Sequence, residues 1–89
     1  MKPIVYIKPG CPWCMDALDF LDKHQVKYET RNVLTDDQAM QRLREISGKT
    51  KTPTMEFGEF TCADFSVDEL LAALEDAPSV RQQLGLENA

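Results

Sequence analysis

The chain has 89 residues, 43% of them hydrophobic and 28% charged, which is the composition of one small globular domain. Its net charge of −5 and its pI of about 4.7 argue against nonspecific binding to nucleic acid or to an anionic membrane. No apolar run approaches the ~20 residues that span a bilayer, and the N-terminus lacks a basic region followed by a long apolar stretch. We therefore expect a cytoplasmic protein, in which three cysteines indicate redox or metal chemistry rather than a disulfide scaffold.

The first predicted strand runs from Met1 to Ile7, and its continuous apolar centre is typical of a strand covered on both faces. We expect it to be central in the sheet. After Lys8-Pro9-Gly10 come Cys11-Pro12-Trp13-Cys14 and a stretch with apolar residues at helical spacing. Pro12 suits the first helical position, so Cys11 is the predicted N-cap, and the helix should end near residues 22–24.

The two cysteines of this segment should differ in acidity. The free amides at the helix N-terminus face the Cys11 sulfur, and Lys8 adds a positive charge, so both favour the thiolate. Cys14, one turn later, should be more buried and less ionised. Because a stable thiolate is also a good leaving group, this asymmetry favours dithiol–disulfide exchange.

Two other interpretations of the cysteine pair are weaker. Half of a zinc site would need four ligands, and the further candidates, Cys62 and His24, do not form a second closely spaced pair. A chance pair of buried cysteines does not account for the intervening proline, the helix start and the preceding lysine. His24 is interpreted as a surface residue at the helix C-terminus.

The rest of the chain alternates between strands and helices. A half-buried strand is predicted over residues 26–32, with Val26, Tyr28 and Thr30 on one side, and a capping box that begins at Thr35 should start a helix that Gly48 ends. A polar loop then leads to a hairpin of residues 54–57 and 60–62 around Gly58-Glu59. A second capping box at residues 66–69 begins the next helix, which Pro78 ends.

This order predicts an α/β fold, with one mixed four-stranded sheet flanked by helices on both faces. Cys11 then lies at the carboxyl end of a central strand, where open α/β sheets bind ligands. We divide the chain into a domain of residues 1–77 and a tail of residues 78–89. The tail should hold a short helix over 79–84, capped by Ser79 with Gln82, and fray towards Ala89. We expect a monomer, because no surplus amphipathic helix is evident.

Residues 3 to about 76 resemble the glutaredoxin family, which has a thioredoxin-like fold. The resemblance lies in Tyr6-Ile7-Lys8-Pro9, the Cys-Pro-Trp-Cys segment, Ser47-Gly48 ahead of Thr52-Pro53, and Asp64 after the last strand. Two motifs at the right separation in the right element order are far more specific than either alone. Trp13 stands where the family most often has tyrosine, and the absence of an N-terminal helix resembles the shorter bacterial dithiol members.

The resemblance implies a glutathione-dependent thiol–disulfide oxidoreductase with no bound cofactor and glutathione as co-substrate. Cys11 would attack a glutathionylated or disulfide-bonded client protein, and Cys14 would resolve protein disulfides. The resemblance assigns glutathione binding to six positions: Lys8, Trp13, Thr52, Pro53, Ala63 and Asp64. Many members also have an arginine or glutamine in the loop before the proline; Thr50 occupies that place here, and its neighbours Lys49 and Lys51 are candidate replacements. It also implies a cis bond before Pro53, against a low base rate for such bonds.

One departure from the family keeps two alternatives open. Thr61-Cys62 stands where the family usually has a Gly-Gly pair that lets the backbone approach its ligand. This favours a thioredoxin-like electron donor that serves one client and is reduced by a flavoenzyme, and Lys8 and Asp64 favour glutathione. A carrier of an iron–sulfur cluster is disfavoured because Pro12 stiffens the turn. Cys62 is interpreted as a small packing residue or a third thiol near the ligand.

Overall fold

The computed structural model describes all residues, 1–89, as four strands and four helices in the predicted order. The elements are β1 (Ile4–Ile7), α1 (Pro12–Lys23), β2 (Glu29–Asn32), α2 (Asp37–Ser47), β3 (Thr54–Phe57), β4 (Phe60–Cys62), α3 (Val67–Glu75) and α4 (Pro78–Leu84). None of the four helices is long and apolar enough to cross a membrane.

The sheet is mixed and has the order β2-β1-β3-β4. β1 is central, as its apolar sequence predicts, and it pairs parallel with β2 and antiparallel with β3. β3 and β4 form the predicted hairpin, in which Phe57 faces Phe60 across a two-residue turn with Gly58 at φ 60°. The carboxyl end of β1 therefore delivers the cysteine segment to one edge of the sheet, beside the loop that enters β3.

Side chains of β1 alternate between two cores. Val5 belongs to the larger core, which α1, α3 and α4 complete through residues such as Leu21 and Leu74. Tyr6 faces the opposite way and packs with Leu43 of α2. Both faces of the sheet are thus covered, which is the arrangement that the continuous apolar run of β1 predicts.

Two predicted strands, β2 and β1, each begin three residues later than expected. β2 begins at Glu29 rather than at residue 26, because residues 24–26 terminate α1: Gln25 adopts φ 59° and the Val26 N–H bonds back to the Leu21 carbonyl at 2.9 Å. Thr30 is exposed on this edge strand rather than half-buried. β1 likewise begins at Ile4 rather than at Met1.

The N-cap of α2 is Asp36 and not Thr35. The Asp36 carboxylate accepts a hydrogen bond from the Ala39 N–H at 3.1 Å, whereas Thr35 is held in a turn by the Asn32 carbonyl. The capping box of Ser66 with Glu69 and the left-handed Gly48 cap are both present as predicted.

The C-terminal segment differs most from its prediction. α4 lies where the short helix was expected but starts at Pro78, and its N-cap Ala77 makes no side-chain hydrogen bond, so the capping box of Ser79 is wrong. The expectation of fraying is also wrong, because Leu86 is fully buried in the larger core. The Arg81 guanidinium holds this end by donating to the Leu86 and Ala89 carbonyls, each at 2.9 Å.

Candidate active site

The Cys11 sulfur lies at the start of α1, where local sequence dictates the backbone. Gly10 adopts φ 70°, which a side chain would disfavour, and Pro12 occupies the first turn of the helix. Cys11 is thereby the N-cap, with extended φ −102° and ψ 105°, and its sulfur accepts the Cys14 N–H at 3.2 Å. The N-cap prediction is confirmed.

Thr52 approaches the same sulfur from the loop before β3. Its hydroxyl donates towards the Cys11 sulfur at 3.6 Å, and its carbonyl oxygen lies 3.7 Å from that sulfur. The bond between Thr52 and Pro53 is cis, as the family resemblance implies. The Thr52 backbone N–H has no hydrogen-bond partner within the chain. A buried loop residue with a free N–H and a nearby carbonyl thus flanks the dithiol.

The pKa values of the two active-site thiols shift in opposite directions, as the sequence predicts. Partial burial by itself would raise the pKa of Cys11, but hydrogen bonds from Cys14 and Thr52, with a smaller effect of the Lys8 charge, lower it below its ordinary value. Burial raises the pKa of Cys14, and its hydrogen bond to Cys11 raises it further. The site therefore combines one acidic, partly exposed sulfur with one buried, protonated neighbour.

Cys62, the third cysteine, belongs to the larger core. It is buried on β4, and burial, helped by the nearby Glu69 charge, raises its pKa to about 11. All three cysteines are unpaired thiols. The position of Cys62 among core side chains agrees with a packing role.

Ala63 and Asp64 lie in a turn that is hydrogen-bonded to the start of β3 and to the loop before it. The Asp64 N–H donates to the Thr54 hydroxyl at 3.2 Å, and the Phe65 N–H donates to the Pro53 carbonyl at 3.1 Å. Asp64 takes φ 49°, a left-handed conformation that aspartate tolerates better than most residues. Its carboxylate forms no ion pair, since the three ion pairs of the chain all lie elsewhere.

The predicted cationic residues also carry no ion pair. Lys8 is half-buried directly after β1, whereas Lys49 and Lys51 are exposed on the loop that leads to Thr52. Trp13 is 48% exposed on the first turn of α1. The geometry thus groups Cys11, Cys14, Lys8 and Thr52 directly, and brings the Asp64 turn against the same loop.

The sequence predicts an acidic Cys11 from the helix N-terminus and Lys8 alone, and it does not predict the contribution of the Thr52 hydroxyl. A hydroxyl residue directly before Pro53, the position that faces the dithiol, is the feature of the sequence that could have indicated it. No group of three or more His, Cys, Asp or Glu side chains is arranged to hold a metal ion.

Comparison with known proteins agrees with this architecture. A family model described as glutaredoxin matches residues 4–60. The structure of the thioredoxin-like protein BC3987 is 33% identical, with a TM-score of 0.73 over 82% of this chain and 100% of that protein. No curated protein matches the sequence.

Two glutaredoxin structures share the fold at lower identity. The glutaredoxin from Archaeoglobus fulgidus is 19% identical, with a TM-score of 0.71 over 82% of this chain and 85% of that one. The glutaredoxin from Brucella melitensis is 24% identical, with a TM-score of 0.68 over 100% of this chain and 94% of that one. With the family model spanning β1 to the start of β4 and the cysteine pair at the start of α1, the chain belongs to the glutaredoxin family and is a thiol–disulfide oxidoreductase.

Proposed function

We propose that the protein is a dithiol glutaredoxin that uses glutathione as reductant, with Cys11 as nucleophile and Cys14 as resolving thiol. The observation that carries the proposal is the hydrogen-bonded Cys11 sulfur, the most accessible of the three thiols and the one whose pKa is lowered. A thiolate is the species that attacks a disulfide, and a lowered pKa also makes Cys11 a good leaving group in the second step.

With a glutathionylated client, the Cys11 thiolate attacks the glutathione sulfur and the bond to the client sulfur breaks. The client leaves as a thiolate and takes up a proton. A second glutathione, as its thiolate, then attacks the glutathione sulfur bound to Cys11, which releases oxidised glutathione and restores the Cys11 thiolate. The net reaction consumes one free glutathione and converts the client–glutathione mixed disulfide into a client thiol and oxidised glutathione, so no bound cofactor is required.

With a disulfide inside a client protein, Cys11 forms a mixed disulfide with one client sulfur. Cys14 then loses its proton and attacks the Cys11 sulfur, which releases the client as a dithiol and leaves a Cys11–Cys14 disulfide. The raised pKa of Cys14 keeps this thiol protonated until the mixed disulfide has formed. Two glutathione molecules then reduce the Cys11–Cys14 pair.

Polar groups that lack partners support glutathione as the small ligand. The free Thr52 N–H and the neighbouring carbonyl suit pairing with an extended peptide backbone. The unpaired carboxylate of Asp64 suits the γ-glutamyl ammonium, and Lys8 suits the glycyl carboxylate. Lys49 and Lys51, on the loop that leads to Thr52, are additional cations. Trp13, Pro53 and Ala63 complete the proposed contacts.

The decisive experiment offers a small glutathione mixed disulfide under two reducing systems. One reaction contains glutathione with glutathione reductase, and the other contains thioredoxin reductase. Turnover with glutathione supports the proposal, whereas turnover only with thioredoxin reductase contradicts it. Cys11→Ser should abolish all activity, and Cys14→Ser should keep deglutathionylation but lose reduction of protein disulfides. Equal loss in both variants would show that the two roles are misassigned.

A second candidate is a thioredoxin-like electron donor reduced by a flavoenzyme. Two observations favour it: Cys62 is a buried core residue at a position where the family usually has glycine, and a relative of 33% identity is a thioredoxin-like protein. The same two-reductase assay separates the candidates, because this one requires thioredoxin reductase.

A further inference from the structure

A cleft of about 210 Å³ opens beside the dithiol, between the first turns of α1 and α3. Its walls are Trp13, Asp16, Ser66, Val67 and Asp68. Trp13 lies between the two cysteines in sequence, and this residue is 48% exposed. The cleft is therefore within reach of a polypeptide that is joined to the Cys11 sulfur.

Both charged residues that line the cleft are acidic. Asp16 and Asp68 are exposed, and neither makes an ion pair or a side-chain hydrogen bond within the chain. No lysine or arginine is among the lining residues. Two uncompensated carboxylates beside an exposed indole attract a cation by charge and through the aromatic face.

The charge changes sign on the loop side of Cys11. Lys8 follows β1, and Lys49 and Lys51 lie on the loop that leads to Thr52, none of them in an ion pair. One unpaired carboxylate, Asp64, also lies on that side, but it shares the side with these three lysines and is the group proposed above for the γ-glutamyl ammonium. The cleft has two carboxylates and no lining lysine or arginine, so a basic client side chain is stabilised most there.

We propose that the cleft of Trp13, Asp16 and Asp68 is a specificity site that binds a lysine or arginine side chain next to the reactive disulfide of a client protein. The carboxylates supply the charge, and the indole supplies a flat surface for the cation and its aliphatic stem. This inference rests on the proposed function only in taking Cys11 as the sulfur that joins the client.

The test uses three peptides that contain an intramolecular disulfide and differ only in the two residues directly before the first cysteine. These two residues are both Lys, both Ala or both Glu. The reduced protein alone supplies both electrons, so each reaction converts one protein dithiol and one peptide disulfide into a protein disulfide and a peptide dithiol. The second-order rate constant should be about 10-fold higher for the Lys peptide than for the Glu peptide at low salt. Raising the salt to ~0.5 M should reduce this preference to about twofold or less.

Variants locate the preference. Asp16→Asn combined with Asp68→Asn should reduce the Lys-to-Glu ratio to about 2, and Asp16→Lys alone should invert it. Glu75→Gln makes the same charge change as one of these substitutions at the far end of α3 and should keep the ratio. Because each variant is compared with itself on two peptides, altered Cys11 reactivity or stability cancels.

Equal rates for the three peptides with the unmodified protein would overturn the inference. A loss of preference in Glu75→Gln about half as large as in the double variant, which removes two negative charges rather than one, would also overturn it, because the preference would then come from the net charge of the whole protein. Failure of the proposed function gives a different result: turnover of the glutathione mixed disulfide would then require thioredoxin reductase, whereas the peptide preference is measured with the reduced protein alone and would persist.

Discussion

Replacing Leu86 by alanine tests whether the C-terminal segment belongs to the core of the domain. The side chain is fully buried, and it packs in the same cluster as Val5 and Leu74. Burial of a leucine side chain is worth about 1.5–3 kcal/mol, and Leu→Ala in a core costs about 2–5 kcal/mol once the cavity is included. We expect about 2–3 kcal/mol, towards the lower end, because a segment near the chain terminus can partly close the cavity.

The measurement is urea unfolding followed by far-ultraviolet circular dichroism, with a thermal scan in parallel. For a domain of this size, a loss of 2–3 kcal/mol corresponds to a fall in Tm of roughly 10–15 °C. Leu34→Ala is the matched control: the side chain is 60% exposed, so its truncation should change the free energy of unfolding by less than about 0.5 kcal/mol. An effect of Leu86→Ala no larger than that of the control would show that Leu86 does not contribute to the core.

Three further predictions concern individual side chains. Thr52→Val should raise the pKa of Cys11, because a hydrogen bond to its sulfur is lost, and Thr52→Ser should largely preserve the lowered pKa. The pH profile of alkylation measures the pKa of Cys11 in both variants. Cys62 should resist a soluble thiol reagent in the folded protein, since a pKa of about 11 leaves a thiolate fraction of ~10⁻⁴ at neutral pH. Labelling of Cys62 at the rate of a free thiol would contradict this. A hydrogen bond from Arg42 lowers the pKa of Glu56, so this pair stabilises the fold above the ordinary glutamate pKa and the contribution is lost as pH falls through the lowered value. Glu56→Gln should therefore flatten the acid limb of the stability profile in urea titrations, and an unchanged limb would contradict the assignment.

Much of the fold follows from local signals in the sequence. The apolar run of β1, the Gly58-Glu59 turn and the Ser66 capping box each act through neighbouring residues, and all three predictions are confirmed. The errors arise where a tertiary contact or a competing local bond decides. Leu86 lies in a polar C-terminal segment of the sequence, yet its side chain packs in the larger core. Hydrogen bonds from Arg81 to two backbone carbonyls fix this end of the chain.

The candidate site divides in the same way. The N-cap position of Cys11 depends on Pro12 and Gly10, which are its sequence neighbours, so the segment alone predicts it. The hydroxyl of Thr52 lies 41 residues further along the chain, and only the packing of the β3 loop against α1 brings it to the sulfur. The acidic cleft likewise needs the first turns of two helices side by side, which residue spacing does not reveal.

Site-resolved alkylation of the reduced protein across pH, with mass spectrometry to identify each modified cysteine, measures the acidity of Cys11 directly. We expect Cys11 to react first and its rate to rise at a pH below the ~8.5 of a free cysteine side chain, while Cys14 and Cys62 stay unmodified there. If Cys11 titrates no lower than free cysteine, or if Cys14 reacts before it, Cys11 is not the activated nucleophile of this site.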